Sequence, residues 1–251
     1  MNSFVETSIA DKIATITFFH PAKNSFTSSQ LQELKESIEK LNSNNNVTVI
    51  ILQSEGNSVF CSGASFDELL AVASLEQGKY FFSGFANVIN AMRKSNKIII
   101  GRVQGKAVGG GVGLISACDY SVATQNASIK LSEIAIGIGP FVIEPAVSKK
   151  IGKNAMAQMT LEPTEWKSTT WALEKGLYDR IFDNETEMDS YLNQYAKQLA
   201  NYNPEGLIEM KKVLWENTEN WDELLVERAA ISGKLVLSDF TVKALNTFKN
   251  K

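Results

Sequence analysis

The sequence predicts an α/β chain with repeated ββα turns in its first part and helices in its last. Three observations carry this: short runs of β-branched and aromatic residues early on, helix-periodic segments between them, and a helical apolar pattern beyond about residue 143. A chain of 251 residues is long enough to bury a sizeable core.

Residues 13–19 (IATITFF) and 47–52 (VTVIIL) are short, β-branched and aromatic, as buried strands require. The helix between them opens at Thr27, with Gln30 three residues later as in a capping box, and then repeats Leu31, Leu34, Ile38 and Leu41 on one face. SFDELLAVA and EQGKYFFSGFANVINAMRKS read as two further helices before the strand KIIIGRV, 97–103. YSVAT and SIKL follow as two more short strands, so closely spaced that ββα turns fit better than a simple βαβ sheet. IEPAVSKKIG, NAMAQMTL, TEWKSTTWALEKG, EMDSYLNQYAKQLAN, PEGLIEMKKVLWEN and the stretch from Trp221 read as helices punctuated by Gly, Pro or Asn. With no strands expected among them, these helices should pack on the first part of the chain or on a neighbouring subunit.

Composition narrows the function. Hydrophobic residues at 44% and charged residues at 21% describe a globular protein, not a disordered one. A formal charge of -3 leaves no broad basic face for nucleic acid. Two cysteines, Cys61 and Cys118, point to a reduced compartment, and no apolar run reaches the roughly 20 residues that span a bilayer. MNSFVETSIADK lacks the basic-then-apolar layout of a signal peptide, so the expectation is a soluble cytoplasmic protein. One histidine, His20, and two distant cysteines make no metal set, and His20 beside Pro21 at a strand end reads as structural.

Three consecutive glycines, 109–111, precede the helical-looking VGLISAC. Bare backbone there admits either a close ligand with amides presented at a helix start, or a tight turn with close packing. The spacing is neither that of a dinucleotide fold nor that of a phosphate loop.

VFCSGASFDELL (59–70), VQGKAVGGGVGLISACDYSVAT (103–124) and ALEKGLYDRIF (172–182) together resemble the crotonase, or enoyl-CoA hydratase/isomerase, superfamily over nearly the whole chain. The resemblance implies a crotonase-like ββα spiral core over residues 1–190, a C-terminal helical trimerisation region over 191–251, assembly as a homotrimer or hexamer, and an acyl-CoA thioester as substrate. Coenzyme A is then part of the substrate and no separate cofactor is expected. By motif, the two amides that would bind the thioester oxygen fall on Ala64 in FCSGAS and Gly110 in GGG, and such donors stabilise an enolate. Lys23 in HPAKNSF and Phe248 with Lys251 in TFKNK resemble the family's coenzyme A contacts, alongside Ala64 and Gly110.

Two-glutamate hydratases of the family carry one glutamate two residues after GGG and another about twenty residues later. Here the first position is Gly113, and the second is Glu133 in LSEIAIGIGPF. Ile129, Leu131, Ile134 and Ile136 should desolvate Glu133 and raise its pKa above about 4.3. Glu144, one helical turn past Pro140, is the candidate second acid; its other reading is a solvated helix start. Trp166 and Trp171, at helical spacing, read as core or subunit packing, with an acyl-pocket wall as the alternative.

With one carboxylate, moving a double bond is simpler than adding water, because one base can take a proton from the α-carbon and return it at the γ-carbon. GIGPF, 137–141, likewise resembles the single-glutamate 3-enoyl to 2-enoyl isomerase branch. The expected activity is that isomerisation. Hydration, including of a methylglutaconyl type, and acyl-CoA decarboxylation are its alternatives, and a catalytically weak assembly or RNA-binding subunit is the alternative of another class.

Overall fold

A computed structural model describes residues 2–249, and for Phe248 and Lys249 the main chain alone. The sheet at the centre has six strands in the order β1-β2-β3-β5-β7-β9: β1 Phe4–Ala10, β2 Ile13–Phe19, β3 Val49–Ser54, β5 Ile98–Val103, β7 Tyr120–Thr124 and β9 Arg180–Phe182. β1 and β2 form an antiparallel hairpin and the other pairings are parallel. Between these strands the chain crosses to a second, parallel sheet of three very short strands, β4 Val59–Cys61, β6 Lys106–Val108 and β8 Ile129–Lys130, in the order β4-β6-β8. Each turn of the spiral thus lays one strand in the large sheet and the next in the small one, and beyond the β1–β2 hairpin every pairing in both sheets is parallel.

Alternation along β3 explains how the large sheet is covered. Ile50 and Leu52 enter the main core, with helices α1 Ser28–Asn42 and α3 Leu75–Lys94, while Val49 and Ile51 face Met188, Leu192 and Ala196 of α7 Glu185–Ala200. α1 begins at Thr27, whose hydroxyl accepts the Gln30 N–H at 3.3 Å. The Gln30 side chain does not close the expected capping box on the main chain of Thr27; its amide donates instead to Phe19 O at 2.9 Å and ties the helix to the hairpin.

Several elements differ from the sequence reading. β1, β4, β6 and β9 were not expected, and β9 adds an edge strand from the part of the chain read as wholly helical. IEPAVSKKIG and NAMAQMTL form α5 Glu144–Leu161, broken at Gly152, where φ is 80° and ψ 156°. TEWKSTTWALEKG is helical only over α6 Thr169–Glu174, because Lys167 and Ile129 exchange main-chain hydrogen bonds of 2.9 and 3.0 Å that hold the preceding segment extended. Position 190 lies inside α7.

The remaining helices are α2 Phe66–Ala71, α4 Gly110–Ala117, α8 Pro204–Leu214, α9 Trp221–Leu235 and α10 Asp239–Lys249. Among the described residues no helix is long and apolar enough to cross a membrane. α9 lies across α3, with Gly78 against Gly233 at the crossing: a Cβ added to Gly78 would come within 2.7 Å of the Gly233 main chain. Backbone cannot yield as a flexible side chain can. Gly78→Ala or Gly233→Ala should therefore lower stability by about 1–3 kcal/mol in urea or thermal melts. Gly206→Ala on α8, whose new methyl would meet nothing nearer than 3.9 Å, should be neutral or stabilise by up to about 1 kcal/mol.

Candidate active site

The three strands of the small sheet end at one place. Cys61 of β4 pairs with Ala107 of β6, and Val108 of β6 pairs with Lys130 of β8. Ala64, Gly110 and Glu133 each follow these strands by two or three residues, so register alone carries them to the same edge. This is the carboxyl end of parallel strands, where open α/β sheets place ligands.

Ala64 is held by a bridge to Phe26. Phe26 N–H donates to Gly63 O at 2.8 Å, and Ser65 N–H donates to Phe26 O at 2.7 Å. That pairing turns the Ala64 N–H to the other side of its strand. Gly110 is the first residue of α4, whose start is fixed by Gly109: its N–H donates to Lys130 O at 3.0 Å and its carbonyl accepts from Val112 at 2.9 Å. Among the described residues no main-chain carbonyl accepts the N–H of Ala64 or Gly110. The two segments lie together, since a Cβ on Gly63 would stand 3.6 Å from the Gly110 nitrogen.

Glu133 opens a single turn of 3-10 helix, Glu133–Ile136, directly after β8. The residue as a whole is half-buried, but Oε2 is out of reach of solvent and has no hydrogen-bond partner among the described residues. Burial pushes its pKa up to about 7 from an ordinary 4.5, although the main-chain N–H groups of Glu133 and Ser132 pull it partly back. Gly109 is required beside it. Its φ is 55°, and a Cβ there would come within 2.8 Å of Glu133 Oε1.

Glu133, Ala64 and Gly110 line a cavity of about 190 Å³. Its apolar wall comes largely from Phe66 and Leu69 on α2 and from Phe81, Phe82 and Phe85 on α3. The sequence neighbours expected to desolvate Glu133 do less than this wall. Ile136 lines the cavity, but Ile134 is 42% exposed, and Ile129 and Leu131 belong to the main core. α10 packs on the 3-10 turn, with Gly137 leaving room for Phe240 and Thr241.

Among the described residues no second carboxylate lines this cavity. A Cβ on Gly113 would meet Ile143 Cγ2 at 2.4 Å, so that side of the position is filled. Glu144, the candidate second acid, turns the other way: its carboxylate accepts from Lys153 Nζ at 2.5 Å and Ser148 Oγ at 2.6 Å, and lines a separate cavity. Burial alone would raise its pKa, but Lys153 and Ser148, with Arg228 nearby, hold it below the usual carboxylate range.

Outside the Glu133 cavity, and sharing Ser62, Phe66, Val108, Ser132 and Ile136 with it, lies a larger groove of about 1050 Å³. Lys23 lines it, placed by a turn in which His20 Nδ1 accepts the Ala22 N–H and Asn24 donates to Glu55 O and Val59 O. Sequence reasoning missed the rest of the groove's charge. Lys106 and Lys130 stand over the Trp166 ring at 5.1 and 4.5 Å from its centroid, and no carboxylate lines the groove among the described residues. Trp166, read as packing, is 42% exposed here because the segment before α6 is extended, whereas Trp171 packs against the core. Lys251 and the Phe248 side chain lie outside the described residues. Among the described residues no three His, Cys, Asp or Glu side chains are grouped to hold a metal ion.

The family model for enoyl-CoA hydratase/isomerase matches residues 8–243. The bacillaene synthase dehydratase PksH of Bacillus subtilis is 31% identical over 206 residues, 80% of this chain and 76% of that protein. A 4-chlorobenzoyl coenzyme A dehalogenase of Arthrobacter is 30% identical over 194 residues, 76% of this chain and 70% of that one. In structure, the enoyl-CoA hydratase of Bacillus halodurans superposes with a TM-score of 0.90 over 98% of this chain and 100% of its own, at 23% identity, which speaks to the fold.

The Glu133 carboxyl binds its proton more tightly folded than unfolded, so its own contribution to stability is full below about pH 4.5 and is lost as pH rises through about 7. Glu133→Gln removes the ionisation, and urea melts should show it more stable than the parent by about 2–3 kcal/mol near pH 8. That advantage should shrink toward zero near pH 4.

Proposed function

The chain belongs to the enoyl-CoA hydratase/isomerase family, and from that membership we propose that it moves a double bond in an enoyl thioester from the 3- to the 2-position, with Glu133 as the proton carrier. The observation that carries this reading is a buried carboxylate with an unpartnered oxygen, the one carboxylate among the described residues lining a cavity to which Ala64 and Gly110, whose N–H groups no main-chain carbonyl accepts, also contribute. The thioester oxygen sits between the amides of Ala64 and Gly110. Glu133 takes a proton from the α-carbon, and the electron pair spreads over the carbonyl and the 3,4 double bond as a dienolate whose negative oxygen the two amides stabilise. The same proton is then returned at the γ-carbon, leaving the double bond at the 2-position and Glu133 ionised as before. A carboxyl titrating at about 7 suits both halves, since it is base enough to take the proton and acid enough to give it back.

Addition or removal of water at the 2,3 bond is the second reading, favoured by the relative named as a dehydratase. It asks Glu133 to handle both water and carbon, because Ile143 fills the space beside Gly113 and Glu144 is engaged elsewhere. Decarboxylation needs the amide pair but no base.

The groove outside the cavity supplies Lys23, Lys106 and Lys130 for the phosphates of coenzyme A, and Trp166 as an aromatic surface. The proposal includes the trimer or hexamer that the family resemblance implies.

Incubation with 3-enoyl and 2-enoyl thioesters separates the reactions by product. Isomerisation predicts a 2-enoyl product without added water, and a 3-hydroxyacyl product would overturn it in favour of hydration. Glu133→Gln should lose α-proton exchange with solvent by about a hundredfold or more, and the parent kcat/KM should fall as pH drops below about 7. Unchanged turnover in that variant would favour decarboxylation. Lys106→Glu with Lys130→Glu should raise KM for the coenzyme A thioester by about tenfold, salt-dependently, and leave a pantetheine thioester nearly unaffected.

A further inference from the structure

We infer that the acyl group is short and uncharged, about four to six carbons long, and that Phe141 is the residue that sets the limit. This rests on the reading of the Glu133 cavity as the thioester site.

Volume gives the length. A cavity of about 190 Å³ is little larger than the roughly 150 Å³ that accommodates benzene, so it holds about six to eight non-hydrogen atoms. The thioester oxygen and sulfur beside Ala64 and Gly110 take two of them, which leaves room for about four to six acyl carbons, the carbonyl carbon included. Chemistry gives the charge. Glu133 is the one ionisable side chain on the wall among the described residues, and it is an acid; the other polar side chains are the hydroxyls of Ser62, Ser132 and Ser232. An acyl group ending in a carboxylate would enter an apolar space with no cation to pair it and an acid already inside.

The wall that closes the cavity is thin at one point. Gly139, Pro140 and Phe141 line the Glu133 cavity on one side and, on the other, the cavity of about 340 Å³ that holds Glu144 and Lys153. Phe141 is the partition's one large side chain. It lies against Gly139, where a Cβ would come within 2.4 Å of its ring, so the glycine of GIGPF leaves the ring its place beside both cavities. Removing the ring joins the cavities, which gives a longer chain somewhere to go.

Calorimetric titration with butyryl-, hexanoyl-, octanoyl- and dodecanoyl-CoA reads this without depending on turnover. Each methylene that finds apolar room tightens binding about fourfold. In the parent protein the gain should run from butyryl to hexanoyl and then stop. In Phe141→Ala, and more weakly in Phe141→Leu, it should continue to octanoyl or beyond. Glutaryl-CoA should bind the parent at least about tenfold more weakly than hexanoyl-CoA. Affinity that keeps rising to dodecanoyl in the parent, a break that stays put in folded Phe141→Leu, or glutaryl-CoA binding as well as hexanoyl-CoA would each overturn the inference. Failure of the underlying reading shows differently, as the absence of α-proton exchange on bound butyryl-CoA while the length break stands.

Discussion

The register of a three-stranded sheet is the constraint on which the site depends. β4, β6 and β8 contribute few residues and little buried area, yet their pairing decides where Ala64, Gly110 and Glu133 meet. A one-residue slip of β8 against β6 would turn Glu133 away from Gly109 and place Ser132 or Ile134 there. The large sheet and its helices act at one remove: α4 packs against β4 and β6, and α3 packs behind α4. Two amides on separate segments need just such a frame: main-chain donors cannot swing into place as side chains do, so they are preorganised or they are useless.

The glycines around this edge follow from the same frame. Gly109 leaves room for the Glu133 carboxylate, Gly110 for the Phe85 ring, and Gly111 for the main chain of Cys61. Three consecutive residues each face a different neighbour at a distance no Cβ tolerates. Of the two readings left open for GGG, close packing is therefore present at all three positions, with Gly111 at the junction of α4 with β4, while ligand approach rests on the amide pair proposed for Ala64 and Gly110.

Much of this was legible before any coordinates. β2 and β3 were visible because buried strands of β-branched residues leave a strong local trace, and Ala64, Gly110 and Glu133 stood out because the surrounding motifs resemble those of a family. The small sheet was not legible: VFC, KAV and IK are too short to show a period. Side-chain direction was equally hidden. Glu144 and Trp166 sit near the site in sequence, but Lys153 and Ser148 draw the first away, and the bridge from Lys167 to Ile129 brings the second to the groove beneath two lysines. Phe141 carries no signal as a partition, since one void on each side of a ring is a property of the assembled fold.

The buried carboxylate also bears on whether the chain works as a catalyst or as a scaffold. A buried oxygen without a hydrogen bond costs about 1–3 kcal/mol, and a raised carboxyl pKa adds a penalty at neutral pH. Gly109, at φ 55°, takes a backbone conformation that favours glycine and keeps the carboxylate's space open. The unpaired oxygen and the raised pKa are each locally unfavourable, and a hydrophobic side chain at position 133 would relieve both at once. A subunit serving assembly has no use for such an arrangement, whereas the proton carrier proposed for Glu133 needs it: in that reading the desolvation that destabilises the folded chain also raises the basicity of the carboxylate. The groove is biased in the same direction, because three lysines line it and no carboxylate does among the described residues, a charge pattern that favours an anionic ligand. An unpaired buried carboxylate oxygen and a cluster of lysines thus stand at the two neighbouring places where, in the proposed reaction, a thioester and its phosphates would lie.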